Sequence, residues 1–199
     1  MFIITADQVD SRHLDDVAGP TMRLLNERYG HRLALPVDRN AGDEIQALVS
    51  DAGTAMGIIT DLTRNGEWSV GCGVGGVRTP LPEHTREASG AGFVAARAAV
   101  ERAKSAPLRF ALSGEFPTEA PLAEALIELL LLIRSRRTPE GWELFDLIAG
   151  GLTQAAAAKA LGISPQAASQ RARAAGIRTE IAAIPALTAA LARVDTDAG

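Results

Sequence analysis

The sequence predicts an α+β protein: a ferredoxin-like layer over residues 1–114, followed by an all-α domain over 115–199 that carries a helix-turn-helix. Three observations predict it. Up to Ser113, short apolar strand-like runs alternate with segments of helical spacing in the order β-α-β-β-α-β-α-β. After Ser113 the strand signals stop and only helical spacing remains. Within that second half, Leu152 to Gly176 (LTQAAAAKALGISPQAASQRARAAG) reads as two short helices with an end signal at every boundary.

In order, Met1 to Ala6 is an apolar, Ile- and Thr-bearing run that reads as a strand ending at Asp7. Pro20 to Arg28 has helical spacing, with Met22, Leu25 and Tyr29 on one side, Pro20 in the first turn and Gly30 as the stop. Leu33 to Val37 alternates like a strand, and DRNAGD turns the chain into a second strand, Glu44 to Leu48. Ser50 or Asp51 caps a helix through Arg64 whose apolar face is Ala55, Ile58, Ile59 and Leu62. Asn65-Gly66 is a turn, and Trp68 to Val77 is a glycine-laden strand. After the proline-bearing loop TPLPEHT, Gly90 to Lys104 is a helix with Phe93, Ala96, Ala99 or Val100, and Ala103 inward. Leu108 to Leu112 is the last strand, and GEFPTEAP marks the boundary.

The helical half opens with Leu122 to Arg137, with Glu124 and Glu128 on its polar side. Thr138-Pro139-Glu140 starts a helix that Trp142, Phe145 and Ile148 anchor in the helix-turn-helix core, and Gly150-Gly151 breaks it. Thr153 caps the first helix of the motif, and Gly162 supplies a left-handed cap with Ile163 as a buried turn residue. Ser164 caps the second helix, Pro165 takes its first position and Gly176 ends it. Ala158, Leu161, Ile163, Ala168 and Ala172 fall on the faces that meet, where small side chains let helices cross closely. Pro185 is expected to begin a last short helix to Val194, with DTDAG frayed beyond it.

With Ala168, Ala172 and Ala175 inward, Gln166, Ser169, Gln170 and Arg173 point outward and Arg171 lies on the flank. In a helix-turn-helix the second helix enters the major groove, where glutamine pairs with adenine and arginine with guanine or phosphate. From Leu147 to Thr179 the chain carries Lys159, Arg171, Arg173 and Arg178 and no carboxylate, although the net charge is −4. A locally basic segment in an acidic protein is what a phosphate-facing surface requires. The bland alternative is an alanine-rich hairpin that only packs.

Composition narrows the classes. Hydrophobic content is 47% against 4% aromatic, so the core is built from aliphatic side chains. No apolar run reaches membrane-spanning length, and no basic-then-apolar leader opens the chain, so a cytoplasmic protein without a membrane partner is expected. The single Cys72 excludes an internal disulfide and lies in an apolar strand pattern, where a buried thiol is expected. His13, His31 and His84 have no metal-ligand spacing. The glycines at 71, 73, 75 and 76 sit within a strand rather than opening a helix, so they read as close packing against a helix and not as a phosphate loop.

ADQVDSR after the first strand, GDEIQAL at 42–48, VGCGVGGV at 70–77, SGAGFVAARAAVERAK at 89–104 and RRTPEGWELFDLIAGGLTQ at 136–154 resemble the SatD family, a bacterial group, in a version with a helix-turn-helix tail. More distantly, the same N-terminal blocks resemble the palm domain of class III nucleotidyl cyclases. That likeness implies a metal-binding carboxylate at the end of the first strand and another on the following hairpin, the places of Asp7 and Asp43 with Glu44 beside it. Mg²⁺ and a nucleotide are the ligands it implies, since hard cations take oxygen donors and bridge to phosphate. Arg97 matches the cyclase arginine, whereas Phe93 stands where the resemblance requires Asn, so no cyclase turnover is expected. Turn chemistry is the ordinary reading of Asp7, Asp43 and Glu44.

The expected function is a sequence-specific DNA-binding protein, a transcriptional regulator whose palm-like domain serves dimerisation or ligand sensing. Its DNA-binding residues would be Thr153, Lys159, Ser164, Gln166, Ser169, Gln170, Arg171, Arg173 and Arg178, with no catalytic residue assigned. DNA and a second copy of the chain are the expected partners, because one helix-turn-helix per chain normally needs a partner for affinity. The alternative is a Mg-dependent nucleotide-binding or cyclase-like enzyme using Asp7, Asp43, Glu44 and Arg97.

Overall fold

A computed structural model describes residues 1–10, 16–40, 42–114 and 118–196. The described residues form an α+β protein with one five-stranded mixed sheet and eight α-helices. They divide into two compact units, Met1–Glu128 with Leu187–Gly199, and Leu129–Ala186. Residues 1–114 lie in the first unit and the 152–176 stretch in the second.

The first unit holds β1 (Phe2–Gln8), α1 (Ala18–Tyr29), β2 (Leu33–Arg39), β3 (Glu44–Val49), α2 (Ala52–Leu62), β4 (Trp68–Val74), α3 (Ala91–Ala103) and β5 (Phe110–Gly114). The predicted order of elements is the observed one. The strands lie in the order β2-β3-β1-β4-β5, antiparallel except for the β4–β5 pair, which α3 connects in parallel. Asp51 caps α2 by accepting from the Thr54 N–H at 2.8 Å, and Ala55, Ile58, Ile59 and Leu62 are buried as expected.

Glycine decides how α3 meets the sheet. A Cβ on Gly71 would lie 2.2 Å from the Val100 backbone nitrogen, and one on Gly73 2.2 Å from that of Ala96. Only a strand without side chains there lets the helix backbone come this close. Ile3, Leu48 and Ala96 form a buried cluster on this side, against which Phe93 packs.

Residues beyond 114 also complete the first unit. α4 (Glu119–Ser135) places the Glu124 carboxylate on the Leu112 N–H and on Arg102, 2.7 Å from its Nη2. Ala120, Ala123, Ile127, Leu187, Leu191 and Val194 are buried, and the Val194 Cγ1 lies where a Cβ on Gly114 would fall within 2.9 Å.

The second unit contains α5 (Pro139–Ala149), α6 (Gln154–Ala160) and α7 (Pro165–Ala174), which pack pairwise, and the start of α8 (Ile177–Thr196). Its core is Leu144, Ala157, Ala172, Ala175 and Ile177, with Phe145, Leu147, Ile148 and Leu161 against it.

Several elements differ from expectation. β4 stops at Val74 rather than Val77, because the Gly76 carbonyl accepts the Gly92 N–H of α3 instead of a strand partner. β5 starts at Phe110 rather than Leu108, since Arg109 at φ +50° is outside extended geometry. Leu144 is the fully buried anchor of α5, whereas Trp142 is half-buried and carries the guanidinium of Arg137 4.4 Å from its ring centre. Ile163 is only half-buried. Pro185 does not begin a helix: it lies inside α8, which runs from Ile177. An interior proline costs about 3 kcal/mol. The helix tolerates it because Ile177 and Glu180 before it, and Leu187 and Leu191 after it, are buried. Asp195 and Thr196 are helical rather than frayed, and 197–199 lie outside the described residues, as do Ser11, Arg12, His13 and part of the GEFPTEAP boundary.

Candidate nucleic-acid interface

Local chemistry builds each boundary of the motif. The Thr153 hydroxyl accepts from the Ala156 N–H at 3.2 Å and the Ser164 hydroxyl from the Ala167 N–H at 3.1 Å, so each is a helix N-cap. A hydroxyl that accepts in this way keeps its proton as a donor. Gly162 at φ +66° and Gly176 at φ +65° take the left-handed conformation that ends α6 and α7, one that costs a side-chain-bearing residue roughly 1–2 kcal/mol. Ala157, Ala158, Ala168 and Ala172 are buried where the two helices meet.

This packing leaves Gln166, Gln170 and Arg173 exposed along α7 and Ser169 half-buried. Lys159 on α6 and Arg178 at the start of α8 are exposed too. Arg178 Nη2 lies 3.5 Å from Gln154 Oε1. Arg171 turns elsewhere: its Nη1 reaches the Glu140 carbonyl at 3.4 Å and lies 3.8 Å from the Glu143 carboxylate. It faces α5, apart from the outward set. A backbone hydrogen bond, then the Thr138 hydroxyl, and last the Arg171 charge hold the Glu140 carboxyl below its ordinary range.

Sequence reasoning missed what fixes the end of α7. Arg137 donates from Nε and Nη2 to the Ala175 carbonyl at 3.0 and 2.8 Å, and its Nη2 lies 2.6 Å from Glu180 Oε2. Arg134 pairs with the other Glu180 oxygen. All three side chains are buried, and both guanidiniums stack on Trp142, 4.4–4.7 Å from its centre. The signal in the sequence was the pair of arginines ending an apolar helix just before a tryptophan.

The second candidate cluster lies in the first unit. Thr5 and Asp7 of β1, Glu44 and Gln46 of β3, and Ser69 of β4 alternate onto the sheet face that carries Gly71 and Gly73. Asp7 is the register partner of Glu44, and the Gln8 N–H donates to the Asp43 carbonyl at 3.3 Å, so Asp7 and Asp43 come to one end of the sheet. Protein donors hold the carboxylates of Asp7 and Glu44. Lys104 Nζ lies 3.1 Å from Asp7 Oδ2, and Glu44 accepts from Asn40 and, at 3.4 Å, from Gln46. Glu101, then Asp7, raises the Lys104 ammonium above its ordinary value. Arg97 is exposed on α3. Among the described residues no three carboxylate, imidazole or thiol groups converge where they could hold a metal ion. With Asp7 paired to Lys104 and Glu44 turned to amide donors, no chemical step is derived through Mg²⁺.

Cys72 is fully buried, and burial pushes its thiol up to about 12, which leaves it protonated and unreactive at neutral pH. Among the described residues no single helix is long and apolar enough to cross a membrane. Compared with known proteins, the chain matches no family model, no curated protein and no solved structure.

Proposed function

We propose that this chain is a sequence-specific DNA-binding protein acting in transcriptional regulation, with α6 and α7 as a helix-turn-helix and α7 as the helix that reads base edges. One observation carries the reading. The exposed face of α7 is Gln166, Gln170 and Arg173, in a 147–179 stretch without a carboxylate. A helix that served only to pack has no need of a cationic and amide face free of counter-charge. Glutamines at this position suit adenine, and Lys159 suits the backbone phosphates.

The first unit serves as a dimerisation or ligand-sensing module of ferredoxin-like, palm-type layout. Its β-α-β-β-α-β start and the β2-β3-β1-β4 strand order support that finer fold reading. Membership of the SatD family belongs to the same reading and rests on the sequence blocks alone. The nucleotide-enzyme alternative has less support: Asp7 is tied to Lys104, and Phe93 fills the Ile3–Leu48 cluster instead of offering a hydrogen bond.

The test is selection of bound DNA from a random pool by the purified full chain. Enrichment of a site, with half-sites spaced for two copies, is expected. Gln166→Ala or Gln170→Ala should then cost about 1–3 kcal/mol and relax preference at particular bases. Lys159→Ala should weaken all sequences alike and flatten the salt dependence. No enrichment and no gel shift at moderate salt would overturn the proposal.

A further inference from the structure

Seven arginines among the described residues sit against carboxylates, from Arg28 on Asp61 to Arg171 on Glu143. Arg173 and Arg178 are among the arginines that do not. Neither has a carboxylate partner among the described residues, and both line one open pocket of about 170 Å³. The pocket lies between the first residue of α6, the outer side of α7 and the first turn of α8. Gln154, Ser169 and Thr179 supply the rest of its polar lining, and no carboxylate lines it. The nearest acid in sequence, Glu180, is buried and engaged by Arg134 and Arg137.

Two guanidiniums gathered without a counter-ion repel each other, so an anion between them is the arrangement that relieves the charge. The donors have the right chemistry for an oxyanion. Guanidinium forks match phosphate oxygens bidentately, and the hydroxyls of Ser169 and Thr179 each bring an O–H. The Gln154 carbonyl oxygen faces Arg178 at 3.5 Å, which leaves its amide NH₂ as a further donor. A pocket of this size has room for one tetrahedral phosphate.

We infer that the pocket lined by Gln154, Ser169, Arg173, Arg178 and Thr179 is an oxyanion site that seats one phosphate, and that on the DNA reading, on which this assignment rests, the phosphate is a backbone phosphodiester. Arg173 thereby leaves the base-reading set, and base choice falls to Gln166 and Gln170. The two arginines grip one group, so their effects on the ionic component of binding overlap instead of adding.

The experiment uses the full chain with two probes. Inorganic phosphate is titrated while the arginine side-chain N–H signals are followed by NMR. DNA from the selected pool is titrated at several salt concentrations. Arg173→Ala, Arg178→Ala and the double variant are compared with the parent; these side chains are exposed, so folding should be retained, which circular dichroism checks. Each single variant should keep the parent's base preference. The double variant should lower the salt slope by about 0.9, the release expected for one phosphate. Saturable phosphate shifts, lost in the double variant, support the site even in a chain that binds no DNA. That result would retire the DNA reading and make the ligand a free phosphate or phosphomonoester. The inference is overturned if Arg173→Ala changes base preference, if the double variant lowers the slope by two phosphates, or if neither the slope nor the phosphate shifts respond.

Discussion

Replacing Glu180 by Ala tests what holds α7 in place. The Glu180 carboxylate is 3% exposed and neutralises two buried guanidiniums, Arg134 and Arg137. Removing it leaves both charges buried and facing each other. Breaking a buried pair from one side costs about 3–5 kcal/mol, and two cations rather than one lose this carboxylate here. A loss of about 4 kcal/mol is therefore expected. The second unit, residues 129 to 186, would have roughly 3–9 kcal/mol in total at ordinary stability per residue. The variant should leave it marginal. Glu180→Gln should cost less than Ala, since one amide oxygen still accepts while its NH₂ opposes a donor. Amide hydrogen exchange resolved by peptide is the assay, because it reports the opening of α5 to α7 separately from the sheet. A change under about 1 kcal/mol in those peptides would refute the argument that this carboxylate holds the end of α7.

Three further outcomes follow from the same contacts. Gly73→Ala pushes a methyl into the α3 backbone at Ala96, so the loss should reach or pass the upper end of the usual 1–3 kcal/mol for overpacking, read by urea denaturation. Ala168→Glu buries a charge where α6 and α7 meet and should abolish both the motif's exchange protection and any DNA binding. Cys72 should resist thiol reagents at pH 8 until the protein is unfolded. Its thiol rises from 9.0 to about 12 on folding, so the unfolded chain releases the proton first. Stability should thus be fully present below pH 9 and fall as pH rises towards 12, and Cys72→Ala should show a smaller fall in parallel alkaline denaturation curves.

Local signals determined most of what could be read without coordinates. The order of the first ten elements through α5, the caps at Asp51, Thr138, Thr153 and Ser164, and the left-handed glycines at 162 and 176 all depend on a few adjacent residues, so they were legible. The outward face of α7 was legible too, because helical periodicity alone separates Ala168 and Ala172 from Gln166, Gln170 and Arg173. Contacts between distant residues decided the rest. Pro185 by its own chemistry argues for a helix start, yet burial of residues on either side of it carries α8 through. Asp7 looks like a free carboxylate until α3 brings Lys104 to it across 97 positions of sequence. Arg134 and Arg137 look like a solvated helix end until Glu180 and Trp142 bury them. Arg173 and Arg178 line one pocket with Gln154 only once α6, α7 and the start of α8 are packed. A charge carries its valence in the sequence, but its partner and its exposure are properties of the packed chain, and those are what separate a structural arginine from one free to hold a ligand.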